Sequence, residues 1–226
     1  MFNYICNKSN KSKEYHNNKN TLLILSLLSI FEKKTMFSDL CFKVFDQCIG
    51  DYHIQNSISE NPKNPFEKDD IKHLLYQKNW IDTVQWHLED LIRDPEINPV
   101  DALELKRTID RSNQKRTDLV EYIDSYFLEK YKNVEISNTA TFNSESPAWA
   151  IDRLSILALK IFHMDEETKR KGASDEHIRN CSTKLQILIQ QKEDLCSAID
   201  QLLSDIESGT KYMKTYKQMK MYNDED

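Results

Sequence analysis

Polar side chains interrupt the apolar faces of several predicted helices, and their types are those that bind anions or transfer protons. A projection at about 100° per residue places Arg116 in the middle of one apolar face, with Asn113 at its edge. Lys192 lies on the apolar stripe of a second helix, Gln85 near the centre of a third face, and Asp152 on a fourth. Counted from the helix ends, Lys192 and Asp152 lie at a similar depth, so we expect them to form an ion pair.

These polar residues allow two interpretations. They are either buried ion pairs that fix the register of the helices, or the lining of a pocket for an anionic or sugar-like ligand. In a pocket, Asp152 or His87 would transfer protons. The residues that would hold the ligand are Arg116, Lys192, Gln85 and Asn113. A closed core with every polar group paired would favour a binding or interaction protein, whereas an open cavity that reaches Arg116 or Asp152 would favour an enzyme.

A second group of residues is typical of a contact surface. The helix over residues 78–95 carries Trp86 and Arg93 on the side opposite its predicted core face. An aromatic ring on a polar face marks a partner surface or a second layer of packing. Tyr216 lies in a C-terminal stretch in which lysine recurs at every third position. The predicted core face consists of Ile81, Val84, Leu88 and Ile92. The expected partner is an unidentified protein or a small anionic ligand. The sequence does not decide whether the protein forms a homodimer.

The composition excludes several classes of protein. With three glycines in 226 residues, the chain has neither the glycine-rich dinucleotide motif nor the P-loop. The formal net charge of -6 argues against a nucleic-acid partner, because such proteins need a dominant basic face. Neither a nucleotide-binding fold of these types nor a nucleic-acid-binding function is therefore expected.

Metal-binding motifs are incomplete in this sequence. None of the five cysteines forms Cys-x-x-Cys, and the Glu-x-x-His motif of di-iron bundles does not occur. His177 and Cys181 form one pair at helical spacing without a second pair. Glu121-x-x-Asp124 supplies only half of the acidic motif of the magnesium-dependent all-α pyrophosphohydrolases. We therefore predict no metal site and no cofactor.

Every long segment from Met36 onward follows the helical period. After a first helix, capping residues mark the starts of four more. The predicted starts are Asn64-Pro65, Asn98-Pro99, Ser146-Pro147 and Ser174-Asp175. The loop 133–145 has no partner strand, and residues 210–222 form a last amphipathic stretch. The pattern predicts an all-α up-and-down bundle of about five main helices plus a C-terminal amphipathic helix.

Residues 1–35 differ in composition from the remainder of the chain, which we expect to form a single helical domain over 36–226. Their richness in Asn and Lys indicates a mis-assigned start, with Met36 as the true one. The alternative is an export or anchoring signal, although the apolar run 22–31 is about half of the ~20 residues that span a bilayer. Because the cysteines show the pattern of free, buried thiols, we expect a cytoplasmic protein without a membrane span.

Four segments of the chain carry a resemblance to a known family. The segments 78–95, 116–127, 145–157 and 211–223 resemble the bacterial family of domains of unknown function numbered 4254, DUF4254, over about residues 36–226. The resemblance implies a cytoplasmic bacterial helical protein, and it carries no catalytic or binding residue over to this sequence. We therefore expect a binding or interaction module. The alternative is an enzyme or enzyme accessory that acts on an anionic or sugar-phosphate substrate related to envelope polysaccharides, so the sequence does not decide whether the protein is an enzyme.

Overall fold

The structure is a computed structural model that describes residues 36–216, and within this range it is all-α, as predicted. The five helices of this range are α1 Phe37–Gln55, α2 Ile71–Ile92, α3 Pro99–Tyr131, α4 Pro147–Thr168 and α5 Asp175–Glu207. No helix of the described range is long and apolar enough to cross a membrane. The expected N-terminal extension over 1–35, and the last ten residues of the lysine-rich tail, lie outside the described residues.

Side-chain caps fix the starts of α2 to α5. In each case a side-chain oxygen accepts a hydrogen bond from a backbone N–H of the first turn. The capping residues are Asp70, Asn98, Ser146 and Ser174. Three of these caps confirm the prediction, but the start of α2 at Asn64 was wrong. Asn64 instead forms a turn, because its side chain accepts from the N–H of Phe66 and donates to the carbonyl of His73.

The central helix of the bundle is α4, which packs against each of the other four helices. Ten of its side chains are buried, as expected for a helix that is apolar almost all round. By contrast, α3 and α5 are much longer, and each buries only one stripe of side chains along its length. The side chains that α4 turns toward α2 and α3 therefore lie in the interior, whatever their polarity.

The predicted core face of α2 was wrong. Of the apolar residues assigned to it, only Leu88 is buried, while Ile81 and Val84 are half-buried. The interior of the bundle instead receives a polar set from α2, in addition to the buried apolar residues Ile71, Leu75, Tyr76 and Trp80 of the same helix. The buried polar residues of α2 are Lys78, Asn79, Asp82 and Thr83.

The loop that follows α3 pairs with the chain that follows α5. The N–H of Thr141 donates to the carbonyl of Thr210 at 3.2 Å, and the N–H of Tyr212 donates to the carbonyl of Thr141 at 3.0 Å. The loop 133–145 thus pairs with this segment through one isolated bridge, and the described residues contain no strand, as expected. The expected C-terminal helix was wrong over residues 210–216, which are not helical because this pairing engages their backbone.

The close approach of the two segments predicts different effects of alanine at two glycines. Gly209 and Gly172 both have positive φ, of 73° and 82°. A Cβ on Gly209 would lie 2.1 Å from the carbonyl oxygen of Glu135, whereas a Cβ on Gly172 has open space around it. Gly172→Ala should cost about 1 kcal/mol of unfolding free energy, and Gly209→Ala at least about 1 kcal/mol more.

Urea denaturation of the two variants measures the difference directly. Gly50→Ala provides a third comparison, because Gly50 lies inside α1 and a Cβ added there would have no neighbouring atom within 4 Å. It should raise the stability by about 0.5–1 kcal/mol. Equal losses for Gly172→Ala and Gly209→Ala would contradict the packing of the two segments.

Candidate functional site

Two cations and two carboxylates meet in the interior between α2, α3 and α4. Lys78, which is fully buried, forms an ion pair with Asp82 one turn along α2, and its Nζ lies 2.8 Å from Oδ1 of Asp152 on α4. Arg116 enters from α3: its Nε donates to Oδ1 of Asp82 at 3.0 Å, and its Nη2 donates to Oδ2 of Asp152. Each carboxylate therefore contacts both cations, and the formal charges of the four groups cancel.

Neutral polar groups extend this ion-pair network. The hydroxyl of Ser155 on α4 donates to Asp82, and the amide of Asn79 donates to the Ser155 hydroxyl at 2.9 Å. The hydroxyl of Thr83 donates to the backbone carbonyl of Asn79 at 2.8 Å. Because these groups belong to both α2 and α4, they fix the register of one helix against the other.

Arg116 is the member of the network that reaches the surface. Its side chain is 18% exposed, whereas the side chains of Lys78, Asp82 and Asp152 are at most 5% exposed. Arg116 opens into a cleft of about 400 Å³ between α2, α3 and α4. The residues of this cleft are Asp82, Gln85, Trp86, Glu89, Arg93, Arg116, Ile156, Leu159 and Lys160. Four residues singled out from the sequence, Gln85, Trp86, Arg93 and Arg116, thus share one cleft.

The expected ion pair between Lys192 and Asp152 was wrong. Asp152 is paired with Lys78 and Arg116, while the Nζ of Lys192 lies 4.0 Å from the ring centroid of Phe42 on α1. Counting residues along α5 does not show which side of that helix faces α1. Lys192 therefore makes a cation–π contact rather than an ion pair in the core.

Two more of the predicted site residues lie away from the cleft. Asn113 is exposed on α3, and its backbone carbonyl accepts a hydrogen bond from the hydroxyl of Thr117 at 2.9 Å. Tyr216 is 80% exposed and borders a separate groove next to Trp149. Neither residue lines the cleft that Arg116 borders.

His87, the second candidate for proton transfer, lies outside the network and faces His53 and His163. Its ring stacks on that of Tyr52, with centroids 5.1 Å apart. Burial lowers the pKa of His87, and the neighbouring His53 and His163 lower it further. Burial also lowers the pKa of His163, against the opposing effect of its hydrogen bond with Glu166. Both rings therefore favour the neutral form.

Asp124, half of the incomplete magnesium motif, makes local structural contacts. Its carboxylate accepts hydrogen bonds from the hydroxyl of Ser146 at 2.7 Å and from the N–H of Ala148 at 3.3 Å, at the start of α4. Burial raises the pKa of Asp124, and these two hydrogen bonds oppose that rise. The carboxylate thus helps to cap α4, where the helix dipole favours a negative charge.

Sequence reasoning missed Lys78 and Asp82. The two residues are four positions apart on α2, a spacing that favours an ion pair, but neither lies on the apolar stripe that was predicted as the core face. The apolar residues Ile81, Val84 and Leu88 on the other side line a second, open cleft of about 700 Å³ between α2 and α3. The apolar stripe of α2 therefore lines a groove, whereas its buried polar residues face the interior of the bundle.

The chain belongs to the DUF4254 family, described as proteins of unknown function, whose family model matches residues 72–215. The matched range contains α3, α4, α5 and nearly all of α2, and with them all four charged members of the network. No curated protein and no solved structure matches the chain.

The network predicts that losing one cation strongly destabilises the fold. In Lys78→Met, Asp82 and Asp152 face a single cation, Arg116, so the unfolding free energy should fall by about 3–5 kcal/mol. Arg93→Met is the control, because Arg93 and its partner Asp90 are more than half exposed, and it should cost less than about 1 kcal/mol.

Chemical denaturation of both variants gives the two values. A third variant, Lys78→Met with Asp82→Asn, removes one charge of each sign and should regain part of the loss. A loss below about 1 kcal/mol for Lys78→Met would contradict the network.

Proposed function

We propose that this DUF4254 protein is a binding module that holds a small anionic ligand, of the phosphate or sugar-phosphate class, in the cleft between α2, α3 and α4. The observation that carries the proposal is the placement of Arg116. Two buried carboxylates engage its Nε and Nη2, and a guanidinium has five N–H donors, so donors remain for a ligand. A side chain held in this way loses little conformational entropy when a ligand binds.

The rim of the cleft favours a negative ligand. The formal charges of the ion-pair network cancel, so the residues at the rim determine the net charge of the cleft. The rim carries two cations, Arg93 and Lys160, and one acid, Glu89. The ion pair of Arg93 with Asp90, at 3.0 Å, is exposed and therefore weak enough for a ligand to displace.

The wall of the cleft suits a ligand with a ring. Trp86 lines the cleft and is held in place by stacking on His163, with ring centroids 4.9 Å apart and an angle of 14° between the rings. Gln85 adds an amide that donates and accepts hydrogen bonds. A flat apolar surface beside cations and an amide is the combination that a phosphorylated sugar requires.

An enzyme, or an enzyme accessory, that acts on the same class of substrate is the second candidate. It is supported by the carboxylate of Asp82, which borders the cleft next to Arg116. However, that carboxylate already accepts hydrogen bonds from Lys78, Arg116 and Ser155. Because those contacts compete with proton transfer, the geometry favours binding over catalysis.

A cytoplasmic location in a bacterium, and a single domain over 36–226, belong to the same proposal. Cys41 and Cys48 are free, buried cysteines, and burial raises the pKa of both thiols above the ordinary value. Free thiols of this kind are usual in reducing compartments.

Isothermal titration of the full chain with pyrophosphate tests the proposal. We expect saturable binding that weakens as the ionic strength rises. Arg93→Gln and Lys160→Gln should each weaken binding about tenfold, equivalent to about 1.4 kcal/mol, because each removes one rim cation.

The matched control is Lys169→Gln, an exposed lysine on the C-terminal side of Lys160 and outside the cleft. Its affinity for pyrophosphate should equal that of the unchanged protein. The proposal fails if neither pyrophosphate nor glucose 1-phosphate binds, or if Lys169→Gln weakens binding as much as Lys160→Gln does.

A further inference from the structure

Three of the six histidines in the chain converge from three different helices. His53 lies near the end of α1, His87 on α2 and His163 on α4. Their ring centroids are 5.3 to 5.6 Å apart. One nitrogen of each ring lies within 4.8 Å of a nitrogen of each of the others.

The Nε2 atoms of these histidines lack hydrogen-bond partners. All three are buried, and none has a partner among the residues that the structure describes. A buried polar atom in a native protein is nearly always hydrogen-bonded to the protein, to water or to an ion. Since the three rings converge, one bound group could satisfy all three atoms.

In His53 and His163 the opposite ring nitrogen is held in the way that metal-binding histidines require. Nδ1–H of His53 donates to the backbone carbonyl of Ile49 at 2.7 Å, and Nδ1–H of His163 donates to the carboxylate of Glu166 at 3.0 Å. A donor hydrogen on Nδ1 leaves a lone pair on Nε2 of the neutral ring. Carbonyl and carboxylate acceptors of this kind orient the rings of metal ligands and fix their tautomer.

We propose that His53, His87 and His163 bind one Zn²⁺-like divalent transition-metal ion through their Nε2 atoms. Three neutral imidazoles suit such an ion and leave a fourth coordination position for water or a ligand. Zn–N distances of about 2.0–2.1 Å place the nitrogens of a tetrahedral site about 3.3 Å apart. From their present separations the nitrogens have to approach by no more than about 1.5 Å, which small rotations of the side chains provide.

Aromatic contacts hold the rings in place around this point. Tyr52 stacks on His87, Trp86 stacks on His163, and the ring of Phe162 lies 4.4 Å from that of His53. Trp86 also borders the anion cleft, so the metal site lies one aromatic ring away from it. The metal site nevertheless does not depend on anion binding, because none of the three histidines lines the cleft.

A second group of potential ligands lies elsewhere on α4 and α5. Nε2 of His177 lies 2.8 Å from the carboxylate of Glu167 and 3.3 Å from the sulfur of Cys181. These atoms already contact one another, and Nε2 of His177 has partners, unlike the Nε2 atoms of the first group. The first group is therefore the stronger candidate, and an experiment has to separate the two.

Zinc titration of the metal-free full chain, in competition with a chromophoric chelator and without phosphate, tests the proposal. We expect one equivalent of Zn²⁺ to bind. His87→Ala and His163→Ala should each lower the affinity at least about 100-fold, because two ligands replace three. Glu166→Gln should lower it about tenfold, because the orienting carboxylate is lost. Glu166 is exposed, so this variant tests the site without a risk to folding.

Two variants serve as controls. His73→Gln alters a histidine outside the cluster, and Cys181→Ser alters the second group of potential ligands. Both should bind Zn²⁺ as the unchanged protein does. The ligand-field spectrum of the Co²⁺ complex gives a second readout and should indicate four-coordinate metal.

Three results would overturn the proposal. They are the absence of stoichiometric binding, full affinity in both His87→Ala and His163→Ala, and loss of binding in Cys181→Ser. Because the titration contains no phosphate, its failure leaves the anion proposal untouched, and the converse also holds.

Discussion

The ion-pair network of Lys78, Asp82, Arg116 and Asp152 is the interaction on which the structure depends most. Each carboxylate contacts both cations, so the positions of α2, α3 and α4 are set together. Moving four charged groups out of water is costly, and their mutual attraction offsets that cost only while all four are present. The same contacts hold Arg116 where it reaches the surface, and so link the packing of the bundle to the chemistry of the cleft.

The helices could be predicted because their starts depend on local chemistry. Asn98, Ser146 and Ser174 each bond a backbone N–H within the next three residues, and such contacts are visible in the sequence. Asn64-Pro65 has the same residue types, yet the side chain of Asn64 stabilises a turn ahead of α2. The non-helical tail was missed because its backbone bonds reach the distant Thr141.

The site could be predicted only in part. Arg116 and Asp152 interrupt apolar faces and were identified for that reason. Lys78 and Asp82 lie on a polar face of α2, and this face is buried because α4 packs against it and supplies Asp152 as a partner. A helical projection compares faces by apolarity and contains no information on what the neighbouring helix carries. The histidine cluster was not predicted for a related reason, since its members come from three helices and share no spacing motif.

In the proposed binding mode, the network holds Arg116 as the anion-binding group of the cleft. The affinity of Arg116→Lys for pyrophosphate, measured by isothermal titration, tests it most directly. Lysine keeps a positive charge toward Asp82 and Asp152 but has no planar set of donors to share between the carboxylates and a ligand. We expect a folded protein whose affinity falls at least about tenfold. Unchanged affinity in a folded Arg116→Lys protein would contradict it.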